Sequence, residues 1–297
     1  MTSEVKYFQD YFPIKDESLD GRDLDTVAGE AFFKLANSKE VGFRINEDKE
    51  IRVIQDNNCQ THTGGIVWET AYLLACFLIH KVKQNDKKKP LGKVLEVGSG
   101  CGMLGMILCA SKLAKKVVMT ETTEVMENLN KNLIANIKTK GKENRKSCGA
   151  CPNDRISTHR LDWTQYKKDI EACQKEKSDD LNPHSFDTII GTDVIFTQSL
   201  VKPLLKTLQH MSHDKTEIFL CVQIRCQDSY DLLFKKASKY DFKLQDETQN
   251  FAEIKELEWG LAMDCKLLHF TVNKTSSKRS RKTDKEDDPK KKRRKST

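Results

Sequence analysis

The sequence predicts an α/β fold, an open sheet of parallel strands with helices on both faces. Three observations predict it. First, Val94 to Gly102 reads V-L-E-V-G-S-G-C-G, an apolar run ending in three glycines at alternate positions. The amphipathic stretch Met103 to Leu113 follows, so a buried strand feeds a tight turn into a helix. Second, Lys116 to Glu121 reads as another strand, and it ends in an acid 23 residues after Gly98. Third, strand-type and helix-type segments go on alternating almost to residue 272, the pattern of a parallel sheet with helical crossovers.

Residues 1–40 are polar with a few aromatics, among them Tyr7, Phe8, Tyr11, Phe12, Phe32 and Phe33, and are expected to form an extension that packs loosely. Phe43 to Gln55 alternates and carries Val53 and Ile54, which suits a short hairpin. Gly64-Gly65 breaks the chain before an apolar helix, Trp68 to Val82. The core then reads strand 93–97, helix 103–114, strand 117–121, helix 123–137, strand 155–161 and strand 187–192. Helix 199–211, strand 216–224, helix 228–239 and strand 265–272 complete it. Lys138 to Asp154 and Lys167 to Ser185 read as surface insertions. From Lys274 onward there is no apolar periodicity, so a disordered tail is expected. The expected organisation is an extension over 1–40, one domain over 41–273 and a basic tail over 274–297.

Composition sets outer limits. A chain of 297 residues with 37% hydrophobic content suffices for one large α/β domain with extensions. The longest apolar run, Ala71 to Ile79, is too short to span a bilayer, and Glu4 and Asp10 do not suit a secretory leader. The ten cysteines follow no framework spacing, and Cys101 and Cys109 lie within the glycine motif and its helix. Reduced thiols in the cytosol or nucleus are expected. Cys148-x-x-Cys151 has no second pair and reads as a loop coincidence, so no metal is expected. The net charge of +7 is concentrated in the tail: Lys274 to Thr297 carries twelve Lys and Arg against four acids, leaving the rest at −1. The domain itself therefore has no nucleic-acid footprint. Lys278-Arg279 and Lys290 to Lys295, separated by ten residues, have the pattern of a bipartite import signal for the acidic groove of a nuclear-import receptor. Residence in nucleus and cytoplasm is expected.

The glycines leave backbone open to a ligand, and the following helix supplies free N–H groups and a positive dipole end. A nucleotide-like cofactor fits there, with the Glu121 carboxylate suited to ribose hydroxyls. Two cofactors compete. Gly100-x-Gly102-x-x-Gly105 fits a dinucleotide fingerprint, whereas Glu96, Gly98, Gly100 and Gly102 match the E/D-x-G-x-G-x-G pattern of S-adenosylmethionine sites at every position. The dinucleotide register needs the strand to run past Val97, so S-adenosylmethionine fits better. Ligands of open α/β sheets bind beyond the carboxyl ends of the strands. Asp193 and Phe196 after strand 187–192, Leu161-Asp162-Trp163 after strand 155–161, and Trp68 after the Gly64-Gly65 break are expected at that edge.

Taken in order, these residues resemble the seven-β-strand protein lysine methyltransferases of family 16, the methyltransferase-like twenty-one group. The likeness rests on Val67-Trp68-Glu69, Leu95 to Gly102, Glu121, Leu161-Asp162-Trp163 and Gly191-Thr192-Asp193-Val194-Ile195-Phe196, and covers roughly residues 41–272. It implies a seven-stranded Rossmann-like class I methyltransferase sheet with helices on both faces. It also implies cofactor contacts from Trp68, Gly98, Ser99, Gly100, Glu121, Trp163 and Thr192, alongside the motif acid Glu96. Asp193 and Phe196 are implied where the methyl acceptor enters. Glu121, Phe196 and Thr192 stand where the family more often has Asp, Tyr and Ala, so a role for the tyrosine hydroxyl does not carry over.

The implied reaction is methyl transfer to a lysine of a protein substrate, which needs the neutral amine. A free Lys of pKa about 10.4 costs about 4.6 kcal/mol to neutralise at pH 7. A nearby sulfonium and a partly dry channel lower that cost. Other readings compete. A nucleic-acid amino methyltransferase carries Asn/Asp-Pro-Pro-aromatic where this chain has Asp193-Val194-Ile195-Phe196. A cytosine-C5 enzyme needs a Cys nucleophile beyond a strand end, and Cys151-Pro152 lies in an insertion instead; methyl transfer to a small molecule stays open as an alternative. A catalytically silent binding module has no need of the open glycine turn.

Overall fold

Runs of Val, Ile and Leu in the middle of the chain pair into a seven-stranded sheet, and the polar segments between them wind into helices that cover it. The structure is a computed structural model and describes residues 5–56, 63–84, 90–137 and 150–273. In chain order the elements are β1 (Lys6–Tyr7), α1 (Leu24–Ala36), β2 (Glu40–Asn46), β3 (Lys49–Ile54), α2 (Glu69–Gln84), β4 (Lys93–Val97) and α3 (Met103–Ala110). Then come β5 (Lys116–Glu121), α4 (Thr123–Asn136), β6 (Ile156–Arg160), α5 (Tyr166–Lys175), β7 (Thr188–Thr192), α6 (Gln198–Met211) and β8 (Glu217–Gln223). The last are α7 (Gln227–Ala237), β9 (Phe242–Asp246), α8 (Asn250–Glu253), α9 (Trp259–Ala262) and β10 (Cys265–Val272).

The large sheet has the order β6-β5-β4-β7-β8-β10-β9. The strands from β6 to β8 are parallel, and β10 runs antiparallel to both β8 and β9. The expectation of an all-parallel sheet is thus corrected at one edge. The order reverses between β4 and β7, so a crevice opens beyond their carboxyl ends. Neighbouring residues feed opposite cores: Val117, Ile190 and Phe219 pack on one side, and Val118, Ile189 and Ile218 on the other. That is the period-2 alternation of a strand buried on both faces.

Two sequence expectations fail, for different reasons. The stretch 167–185 is not a bare surface insertion: α5 starts at Tyr166 and buries Ile170 and Cys173. Its sparse apolar residues fall at helical spacing and are masked by Lys and Glu. Residues 5–40 do not pack loosely. β1 pairs with β2, α1 packs against α9 and buries Val27, Ala28, Ala31 and Leu35, and Phe8 and Phe12 are fully buried. Phe8 stacks on Tyr72 at 5.3 Å between ring centroids, and Phe12 on Trp259 at 4.0 Å. The partners come from distant parts of the chain, so no local pattern announces them. The β9 edge strand was also missed, being short and mostly polar. Of the Cys148-x-x-Cys151 pair, Cys151 is buried and Cys148 lies outside the described residues, as does the basic tail.

The hairpin expected over 43–55 is present as β2 and β3, and it is fastened by an unusual device. Asn128, Asn132 and Asn136 lie at successive i, i+4 positions on α4 and face β3, an edge strand of the small sheet β1-β2-β3. Asn136 accepts the Arg52 N–H at 3.1 Å and donates to the Arg52 carbonyl at 2.6 Å. Asn132 does the same for Ile54, at 2.8 and 3.0 Å, and donates again to the Cys101 carbonyl at 3.1 Å. Asn128 donates to the Ile54 carbonyl at 3.2 Å. The amides satisfy an open strand edge as a further strand would.

Asn132→Ala is expected to destabilise the fold by about 1–3 kcal/mol, because it leaves buried backbone groups unpaired. Denaturant unfolding of the two proteins checks this. A change within error would mean that water replaces the amide.

Candidate active site

The turn between β4 and α3 carries the site. Gly98, Gly100 and Gly102 all have positive φ, at 68°, 54° and 83°. At Gly100 this matters twice, because an added Cβ would be strained there and would sit 3.3 Å from the Gly64 carbonyl oxygen. The turn is tied to β5: Ser99 donates its N–H to the Thr120 carbonyl, and its hydroxyl accepts the Thr120 N–H at 3.0 Å. The Glu121 carboxylate accepts the Gly100 N–H at 3.0 Å through one oxygen and the Thr122 N–H at 2.8 Å through the other. Opposite, Gly65 lies so close to the Asp56 carbonyl that a Cβ would come within 2.2 Å of it. Residues 63–68 thereby roof the turn.

Between turn and roof lies a cavity of about 310 Å³. All ten residues singled out from the sequence line it: Trp68, Glu96, Gly98, Ser99, Gly100, Glu121, Trp163, Thr192, Asp193 and Phe196. They arrive from the loop before α2, from the ends of β4, β5 and β7, and from the loop after β6. Phe196 is 39% exposed and stands at the rim. Trp68 is held in place from behind: its indole N–H donates to the Thr63 carbonyl at 3.1 Å, and its ring stacks on Phe32 at 5.9 Å.

Four carboxylates line the cavity, those of Glu96, Glu121, Asp162 and Asp193, and among the described residues no Lys, Arg or His does. Such walls favour cations and oppose a pyrophosphate. Burial pushes the Glu96 carboxyl up to about 8, against the opposing bonds from Ser99 and the Gly105 N–H. Glu96 is almost fully buried behind the turn, bonded to its loop, and one of its carboxyl oxygens has no hydrogen-bond partner. Burial also raises Glu121, with the N–H groups of Thr122 and Gly100 opposing it.

Two residues were given no role by sequence reasoning. Arg225, just past β8, donates to the Asp193 Oδ2 from Nη2 at 2.6 Å and Nε at 3.2 Å. The same Nη2 reaches Glu69 Oε1 at 3.1 Å, and the guanidinium carbon lies 4.1 Å from the centre of the Trp68 ring. Asp193 Oδ1 accepts the Gln223 N–H at 2.8 Å. The resemblance implies Asp193 where the acceptor enters; the structure shows its carboxylate already bonded by Gln223 and Arg225. An arginine past a strand end looks like any solvated arginine in sequence, so nothing local marks it out. Burial and the Asp193 charge push Glu69 up to about 7, with Arg225 opposing.

The sheet order and the glycine turn at its switch point define the class, a class I methyltransferase fold. The family model described as lysine methyltransferase matches residues 45–240. A protein-lysine methyltransferase METTL21E of Bos taurus is 27% identical over 191 residues, covering 62% of this chain and 57% of that protein. A protein N-lysine methyltransferase METTL21A of Xenopus tropicalis is 26% identical over 229 residues, covering 74% of this chain and 87% of its own. The match thus spans little more than half of the bovine relative's length. Among solved structures, a fibrillarin/Nop5p complex aligns with a TM-score of 0.45 at 13% identity, over 77% of this chain and 96% of that one. The chain belongs to the lysine methyltransferase family.

The raised Glu96 carboxyl has a consequence for stability. Its folded pKa, about 8, lies above the ordinary carboxylate value of 4.5. From pH 4.5 to 8 the folded state therefore holds a proton that the unfolded state has lost, and stability falls as pH rises. Glu96→Gln removes this dependence. Its melting temperature relative to the parent is expected to climb between pH 5 and 8, as thermal scans across that range would read. A constant difference would mean that Glu96 is ionised throughout.

Proposed function

We propose that this protein transfers a methyl group from S-adenosylmethionine to the ε-amine of a lysine in a protein substrate. The observation that carries the reading is the cavity itself: an open glycine turn walled by carboxylates with no cation among its described lining residues. A cationic cofactor and a cationic acceptor suit such walls, and a dinucleotide phosphate does not. The fit is also steric, since the space beside Gly100 is one that a Cβ would enter.

Gly98, Ser99 and Gly100 would hold the cofactor along the turn, with Glu121 on the ribose hydroxyls and Trp68, Trp163 and Thr192 closing around it. Glu96 would support the turn from behind. When bound, the cofactor supplies an electrophilic methyl on a sulfonium. Asp193, at the end of β7, would accept a hydrogen bond from the incoming amine and orient its lone pair. Phe196 offers its ring face to the ammonium before transfer and to the methylated product after it. Trp68, Val194 and Leu200 exclude water from the acceptor end, which lowers the cost of the neutral amine. Most of the acceleration comes from alignment.

Calorimetry is expected to detect S-adenosylmethionine binding, with no binding of NADH and none by Gly100→Val. The opposite preference would overturn the reading. With methyl-labelled S-adenosylmethionine and a cell extract, the protein is expected to label a protein band. Asp193→Asn should reduce that labelling at least about tenfold while cofactor affinity stays within about threefold. Normal labelling would remove Asp193 from the mechanism.

The tail, outside the described residues, supports a separate reading. Its two basic clusters suit a nuclear-import receptor, so the protein would distribute between nucleus and cytoplasm. Deleting residues 274–297 should move a fluorescently tagged protein out of the nucleus and leave cofactor affinity unchanged. Nuclear retention of the truncated protein would refute the import signal.

A further inference from the structure

We infer that Arg225 is a positioning residue of the methyl transfer: it fixes the Asp193 carboxylate at the acceptor end of the cavity, working through that carboxylate and not on the amine. The inference rests on the function proposed above.

The geometry assigns this task to Arg225. Asp193 has a φ of 49°, on a one-residue bend between β7 and the loop to α6, so the strand alone does not set the direction of its side chain. Three donors set it instead. The Gln223 N–H holds Oδ1, and the Nε and Nη2 of Arg225 close on Oδ2. With Oδ2 occupied, Oδ1 keeps a lone pair for a ligand in the cavity. The fork needs a guanidinium, because the two nitrogens must be held apart and coplanar.

Arg225 is in turn held from two sides. Trp68 covers one face of the guanidinium, and Glu69, with no exposed side-chain surface, binds Nη2 from the start of α2. The Arg225 side chain is 30% exposed, whereas that of Asp193 is 5% exposed. The arginine thus sits over two buried acids at the mouth of the site. Trp68 has other anchors in Thr63 and Phe32, so loss of Arg225 should spare the cofactor side.

The groups facing Asp193 are few. Burial raises the Asp193 carboxyl; Arg225 after β8, the Gln223 N–H and Thr70 of α2 favour its charged form, and Glu69 at the head of α2 opposes it. Cys221 of β8 and Cys265 of β10 lie within reach, but burial pushes both thiols well above their ordinary range and they stay neutral. Removing the guanidinium should therefore raise the pH at which Asp193 ionises.

The test uses the full chain, methyl-labelled S-adenosylmethionine and the extract protein that takes the label. Arg225→Gln is expected to lower kcat at least about tenfold, with cofactor affinity within about threefold, and to move the acid limb of the rate profile to higher pH. Arg225→Lys keeps the charge but loses the fork. It is expected to lower kcat about threefold or more with the acid limb in place, and it carries the test if the glutamine variant does not fold. In an Asp193→Asn background, Arg225→Gln should change kcat less than about twofold. Effects that multiply in the double variant, wild-type kcat in Arg225→Lys, or a lowered melting temperature with kcat and profile untouched would each overturn the inference. Inactive Asp193→Asn beside fully active Arg225→Gln would defeat this inference alone. Absence of cofactor binding by the parent protein would defeat the proposed function with it.

Discussion

Asn132 makes three hydrogen bonds with backbone groups that are far apart in the chain, and the shape of the cavity depends on them. Two go to Ile54 at the end of β3 and one to Cys101 in the glycine turn. Through this one amide the small sheet is registered against the turn between β4 and α3. Residues 63–68 lie over the turn, where Gly65 meets Asp56 and the Cys101 thiol donates to the Gly65 carbonyl at 3.3 Å. The floor of the cavity belongs to the large sheet and its roof to the segment before α2. Neither alone makes an enclosure. A side-chain amide is well suited to join them, because it offers a donor and an acceptor in the spacing of a peptide group.

The second organising constraint is charge. Buried carboxylates are costly unless paired, bonded or protonated. The acids around the turn and the acceptor end solve this differently. Glu121 is bonded by two backbone N–H groups, Asp193 is paired to a guanidinium, and Glu96 holds its proton to about pH 8. The cavity is therefore less negative than its residue list suggests. Its polarity still has one sign, and it is graded from a nearly neutral acid behind the turn to an ion pair at the mouth.

Much of this was legible in the sequence because it is written in short, local patterns. The strand-turn-helix at 93–110 and the acids at strand ends follow from spacing, and Glu96, Gly98, Gly100, Glu121 and Asp193 line the cavity, whereas Gly102 of the same motif does not. The parts that were not legible depend on long-range partners. Phe8 and Phe12 sit in a polar stretch whose packing is decided by Tyr72 and Trp259. The amides of α4 read as a solvated polar face until β3 is seen to lie against them. Arg225 becomes significant only when β8 is placed beside β7, which brings it to Asp193. The antiparallel β10 was placed as a strand by its apolar content, but its direction depends on the unrecognised β9 beside it.

The stack formed by Phe12 on Trp259 joins the beginning of the described chain to almost its end. A contact of that separation cannot form until Trp259 has emerged, so Phe12 waits for a partner made 247 positions later. Local helices and neighbouring parallel strands are under no such delay. Phe12 is thus among the last core residues to settle, and it closes the aromatic cluster against Tyr72 of α2, the helix that begins beside the cavity. Until Trp259 is made, the Phe12 ring lacks that stacking partner. For this fold the vulnerable interval is the one before its C-terminal strands arrive.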